Sequence, residues 1–389
     1  MERFNLIKEF LSYGYQLDSD AIDFLLKNEN KIGKIISFLR TEKPRELILN
    51  SEKLENILSK IPISFEILER DFTSKEIISI EDLTEFFVKR YSKIRNLLSK
   101  RMELPNLISI NKLTSRTKKF SLVVMIKEIL DDKIVVEDNS GQLELNLQRM
   151  KFPFLVKDEV VGIVCNKEEE NTNVENIISP DIPFKKDITT TKENINCFFI
   201  SGLNLEKEHK INNFENISEE LKNDDNIFFI LGGISSDLET YKNFISYFPK
   251  ERTVILQGEL DPKEKQNDYV YATDPSFVKV GEVIILLTHG DILEPYISLW
   301  KFTPEQTILN LLKKRHLNPT FVNLKKFYVN DPLFLDIIPD IIAIGHSQTP
   351  STTNYKNTTI LSTGGVSSEI IMWKVNLHTR ENVKIGLTQ

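Results

Sequence analysis

Along the first forty residues, apolar positions recur three, four and seven apart. Phe4, Ile7, Phe10 and Leu11 mark one helical face, Ile22, Leu25 and Leu26 a second, and Ile32, Ile35, Ile36 and Leu39 a third. This is the spacing of short amphipathic helices that bury one side. Asp18 is placed to cap the second helix, with Leu17 and Ile22 as a hydrophobic staple across its first turn. Residues 41–78 are less regular and richer in charge, and read as a linker with some helix. Ser79-Ile80-Glu81-Asp82 then has the form of a capping box. It opens a long helix whose apolar stripe is Leu83, Phe86, Phe87, Tyr91, Ile94, Leu97 and Leu98, a packing surface.

From residue 119 the period shortens to two. Phe120–Val124, Lys133–Asp138, Leu143–Leu147, Val160–Val164 and Val174–Ile178 read as five short strands, with a turn at Asn139-Ser140-Gly141. Five such strands suit an OB barrel. Barrels of that kind often bind single strands by stacking bases on aromatic rings, but only Phe120, Phe152 and Phe154 are available here, so the barrel reads as structural. A polar, threonine-rich stretch at residues 181–195 reads as a connector. Beyond it, Cys197–Ile200, Ile227–Ile230, Thr253–Leu256 and Val283–Leu287 lack polar alternation, as expected of strands buried on both faces.

Each of these runs ends in a loop, as does a fifth before Gly345. The loops read Ile200-Ser201-Gly202-Leu203-Asn204, Leu231-Gly232-Gly233-Ile234, Gln257-Gly258-Glu259-Leu260-Asp261, Thr288-His289-Gly290-Asp291 and Gly345-His346-Ser347-Gln348. Of only 14 glycines in the chain, eight lie just after these runs, where tight turns need them. The carboxyl ends of such strands are where sites are built.

In order and spacing the five loops resemble the metal-binding loops of calcineurin-like phosphoesterases, with most ligands replaced. That family's pattern is Asp-x-His, Gly-Asp, Gly-Asn-His-Asp/Glu, a His before Gly, and Gly-His-x-His, together holding two divalent cations. Laid on this chain, the first pair falls on Gly202 and Asn204, and the bridging Asp on Gly233. The Asn-His pair falls on Glu259 and Leu260, with Asp261 kept, and the last His on Gln348; His289 and His346 alone remain as good ligands. Two cations about 3.5–4 Å apart need anionic ligands between them, and the bridging position here is a glycine. Leu260 removes the imidazole expected near a leaving group, and with it a general acid. No catalytic residue and no cofactor is therefore expected. A single manganese or zinc ion on His289, His346, Glu259 and Asn204 is the alternative. The plainer reading of the two histidines is hydrogen bonding within the old cleft.

A net charge of −7, with 40% hydrophobic and 28% charged residues, is ordinary for a globular protein and excludes a uniformly basic nucleic-acid coat. The charge is uneven. From Thr84 to Lys119, ten basic residues (Lys89, Arg90, Lys93, Arg95, Lys100, Arg101, Lys112, Arg116, Lys118 and Lys119) face only Glu85 and Glu103, a local +8. Such a patch suits a phosphate backbone or an acidic partner surface. Cys165 and Cys197 sit in apolar runs and read as buried thiols. With neither a leader-like segment nor an apolar stretch of membrane-spanning length, a cytoplasmic location with no membrane partner is expected.

A helical module, a barrel and a ligand-poor phosphoesterase domain in this order resemble the small (B) subunits of replicative DNA polymerases, above all those of archaeal family D polymerase. Tyr13-Gly14-Tyr15-Gln16-Leu17, Phe87–Ile94, Ile178-Ser179-Pro180-Asp181-Ile182-Pro183, Leu311–Pro319 and Ile338-Pro339-Asp340-Ile341-Ile342 carry that likeness. The resemblance implies a multidomain α+β fold. It comprises a helical module over 1–40, a linker and basic helix over 41–117, an OB barrel over 118–183, and a phosphoesterase β-sandwich flanked by helices over 184–389. Archaeal members carry a metal-dependent 3′-5′ exonuclease, whereas eukaryotic B subunits are inactive scaffolds, and the lost ligands place this chain with the latter. The resemblance thus implies a non-catalytic subunit that binds a large catalytic subunit on primer–template DNA, with the N-terminal helices open to another replication factor. The alternatives are a divergent proofreading exonuclease with one remaining metal, and a free-standing single-strand DNA-binding module.

Overall fold

The computed structural model describes residues 3–27, 32–44, 47–60, 65–147, 154–168, 171–183, 187–205, 218–223, 226–266, 268–324, 326–345, 347, 349–364 and 371–386. The chain divides into two compact units, Met1–Ser64 and Phe65–Gln389.

In the first unit, helices Arg3–Ser12, Ser19–Lys27, Ile32–Glu42 and Ser51–Lys60 enclose a core that includes Leu6, Phe10, Ala21, Leu25, Ile35, Leu39 and Leu54. Asp18 caps the second helix as expected, its Oδ1 accepting from Ala21 N at 2.7 Å. Gln16–Leu17 pairs in parallel with Ile48–Leu49. The unit therefore extends past residue 40 into the stretch read as a linker. That stretch also yields Phe65–Leu68, which pairs antiparallel with Ser276–Val280 in the second unit. Elements of two to four residues are too short to show a period, so sequence pattern passes over them.

The second unit contains the helix Ile80–Leu98, a barrel and two sheets. The capping box is present: Asp82 N donates to Ser79 Oγ at 3.1 Å, and Ser79 N to Asp82 Oδ2 at 2.9 Å. Strands Lys119–Ile129, Lys133–Asp138, Gly141–Asn146, Asn171–Ile178 and Val160–Glu168 close, in that spatial order, into a barrel. Leu122, Val124, Ile134, Val136, Leu145 and Ile163 are among the residues filling it. The helix lays Tyr91, Ile94 and Leu98 over Val123, Met125 and Val160 on the barrel's outside, and the Tyr91 hydroxyl donates to Val123 O at 2.8 Å. The predicted apolar stripe is thus a packing face.

Among the described residues each of these two sheets has six strands. In the first, Asn196–Ile200, Asn226–Leu231 and Thr253–Leu256 run parallel and side by side. Phe198, Ile200, Phe228, Ile230 and Ile255 pack under the helix Leu238–Ile245, while Phe199, Phe229, Val254 and Leu256 on the other face are also fully buried, which accounts for the unbroken apolar runs. In the second sheet, Val283–Thr288 and Ile341–Ile344 are parallel neighbours. Leu286, Ile342, Ile344 and Ile360 pack there against Leu293, Trp300, Ile308 and Leu311 of the flanking helical segments. Trp373 Nε1 of the first sheet donates to Ser362 O of the second at 2.8 Å. No helix among the described residues is long and apolar enough to cross a membrane.

Candidate functional site

The parallel strands deliver their carboxyl-terminal loops to one cleft, and the loops hold one another. Gly202, Gly232 and Gly233 take φ of 64°, 75° and 68°, a region open to glycine at little cost. There Gly202 N donates to Gly232 O at 2.9 Å, Asn204 N to Gly233 O at 2.9 Å, and Leu205 N to Ile234 O at 2.7 Å. The first loop thereby runs on beside the second as a backbone ladder. Asp261, buried, binds the second loop to the third: its Oδ2 accepts from Gly233 N at 2.9 Å and Gly258 N at 2.8 Å, and its Oδ1 from Ile234 N at 2.8 Å and Ser235 N at 3.3 Å.

His289 occupies the space between these loops. Its Nδ1 lies 2.7 Å from Leu231 O, and because a carbonyl only accepts, Nδ1 carries the proton. Nε2 lies 3.5 Å from Asp291 Oδ1. A Cβ added at Gly233 would stand 3.1 Å from Gly202 Cα and 3.3 Å from His289 Cε1, and one at Gly258 would stand 2.7 Å from Gly233 N and 3.0 Å from His289 Nε2. Glycine backbone and imidazole thus crowd the direction that a side chain at position 233 would take, where the resemblance puts a bridging carboxylate. Glu259 and Leu260 point outward; Leu260 is 71% exposed at a cavity of about 460 Å³ that Asn204, Gly233 and Asp261 also line. Among the described residues, no three His, Cys, Asp or Glu side chains are grouped as a metal ion would require. His346 and Gln348 lie outside the described residues.

The basic candidates separate into two kinds. Lys89, Lys93, Arg95 and Lys100 are exposed on or just beyond the helix, and Lys112, Arg116, Lys118 and Lys119 are exposed on the segment entering the barrel. Lys89 pairs with Glu85 at 2.7 Å and Lys119 with Glu175 at 3.3 Å. Arg101 is half-buried. Arg90 is a correction: it is 1% exposed and offers nothing to a phosphate. Its Nε donates to Asp331 Oδ2 at 2.7 Å, another guanidinium nitrogen bonds Pro319 O, and the group lies over the Phe86 ring at 4.7 Å.

That pair belongs to a buried junction that sequence pattern did not reveal. His316 Nε2 lies 2.8 Å from Asp331 Oδ2, and His316 Nδ1 accepts from Asn318 N at 3.0 Å, so the neutral imidazole satisfies both partners in one tautomer. Burial, opposed by the Asp331 charge, pushes the His316 pKa down to about 4. Burial alone would raise the Asp331 carboxyl, but the charges and hydrogen bonds of His316 and Arg90 outweigh it and hold the group well below the usual carboxylate range. Nearby, Lys314 Nζ meets the barrel's Glu159 at 2.6 Å in a buried pair. The only hint in the sequence was the density of polar residues in Leu311–Pro319.

No family profile matches the chain. It is similar to the DNA polymerase II small subunit of Thermoplasma acidophilum, 23% identical over 92% of this chain and 84% of that one. The DNA polymerase II small subunit of Methanothermobacter thermautotrophicus is likewise 23% identical, over 79% and 76%. Among solved structures, an archaeal phosphodiesterase is similar over 49% of this chain and 99% of its own, at 11% identity and a TM-score of 0.33. Over most of its length, this chain is a sequence relative of the DNA polymerase II small subunits.

Proposed function

We propose that the protein is a non-catalytic accessory subunit of a replicative DNA polymerase, a scaffold that binds the large catalytic subunit and steadies it on primer–template DNA. The likeness to polymerase small subunits supports the accessory role. The use to which the cleft puts its own groups supports the loss of catalysis. Asp261 is engaged by four backbone amides, and His289 donates into the Leu231 carbonyl amid glycine backbone. This donor set does not fit a pair of divalent cations, which needs a carboxylate between them. In this reading the two sheets form a calcineurin-like domain that has kept its scaffold and lost its chemistry, and the barrel is an OB fold, for which its strand order speaks. The eight exposed lysines and arginines of the 89–119 region would contact DNA or partner, and the N-terminal unit would recruit another replication factor.

The test is co-purification with the large polymerase subunit of the same organism, followed by primer extension with and without this chain. A stable complex whose extension depends on this chain is expected. Two folded subunits that fail to associate would sink the proposal.

A further inference from the structure

An apolar groove of about 340 Å³ runs between the start of the long helix and the barrel, far in character from the glycine-lined cleft. Phe87, Tyr91 and Met125 are among the residues that floor it. At its helix end exposed aliphatic side chains line it: Ile80 is 79% exposed and Val88 44%. Single exposed aliphatic residues are commonplace, whereas a run of them continuous with a groove marks an interaction surface.

The charged side chains that line the groove are acidic, Glu137, Asp138 and Asp158. Lys127 Nζ lies 3.8 Å from Glu137 and Arg95 reaches Tyr91 on the floor, while among the described residues no salt bridge reaches Asp138 or Asp158. Their oxygens accept backbone amides, Asp138 from Ile110 N at 2.9 Å and Asp158 from Phe321 N at 2.9 Å, which fixes the carboxylates in place without cancelling their charge. Burial, and then the Asp138 charge, push the Tyr91 phenol on the groove floor up to about 12, against the opposing charge and hydrogen bond of Arg95.

We propose that this groove is a docking site for a segment of the large catalytic subunit that inserts one or two large apolar side chains and sets lysine or arginine against the carboxylate rim. The inference rests on the polymerase-subunit reading above. The volume admits anchoring side chains and not a whole helix, and apolar floor with acidic rim selects a basic amphipathic segment over nucleic acid, which the rim repels.

The test places a photo-crosslinking phenylalanine analogue at Val88 of the full chain and irradiates it with the purified large subunit and primer–template DNA. The expected product is a crosslink to a large-subunit segment rich in apolar and basic residues. Alongside, Val88→Glu and Glu137→Lys, both exposed or half-exposed positions whose variants should melt like the wild type, should each weaken the complex roughly tenfold or more. A complex that forms at full affinity with both variants, or a crosslink confined to this chain or to DNA, overturns the groove while leaving the subunit assignment intact. No complex with the wild type overturns both.

Discussion

His289 and His316 are both buried, His289 held by a ring hydrogen bond to a backbone carbonyl and His316 by bonds at both ring nitrogens, yet they lie in regions of opposite character. The cleft around His289 has the loop order of an enzyme site, and its polar groups are spent on backbone: a carbonyl for the imidazole, four amides for Asp261. The junction around His316 lies in what reads as an ordinary helix end, and it concentrates an arginine, an aspartate and an imidazole where none reaches solvent. The comparison teaches that resemblance to a catalytic pattern and density of buried charge are separate signals. Here the first marks loops whose polar groups hold one another, and the second marks what joins the long helix to residues 316–331.

The largest expected effect falls on the junction. Asp331→Ala strands the Arg90 guanidinium in the interior, and loss of one partner of a buried pair costs about 3–5 kcal/mol; urea unfolding should show it, and a loss below about 1 kcal/mol would mean the junction is peripheral. Asp261→Ala leaves amides of two loops unsatisfied and should cost about 2–4 kcal/mol, again by urea unfolding. If that variant were as stable as the wild type, the loops would be held by something else.

The junction should also make stability depend on pH. The folded-state pKa of His316, about 4, lies below its unfolded value of about 6.5, so the unfolded chain takes the proton first. Stability is full above about pH 6.5 and is lost as pH falls toward 4, by up to about 3 kcal/mol from this group. Asp331, depressed from the ordinary carboxylate range, adds loss only below about pH 4. Denaturation midpoints across that window should slope in the wild type and flatten in His316→Gln.

Much of the two-sheet domain was legible because its strands are long, uninterrupted apolar runs and its glycines sit where the loops turn. What escaped were relations across great sequence distance. Arg90 counts as a free cation until Asp331 appears beside it, and no local pattern announces a partner that far along the chain. Phe65–Leu68 has four residues and finds its place only by pairing with Ser276–Val280. Asp261 was legible as a position and not as a role, since a carboxylate that ligates and one that clamps amides look alike in sequence.

A smaller effect sharpens the contrast at the cleft. Gly233→Asp restores the bridging carboxylate on paper, but its Cβ would crowd Gly202 and the His289 ring at a φ of 68°. It should cost about 1–3 kcal/mol and confer no tighter manganese binding by calorimetry.

The most direct test of the central claim is 3′-5′ degradation of a labelled primer–template by the assembled complex with manganese, comparing wild type with a His289→Ala variant whose melt shows it folded. Degradation unchanged by the substitution is the result predicted for a scaffold. Manganese-dependent degradation that disappears with the imidazole would mean that the cleft is still an active site.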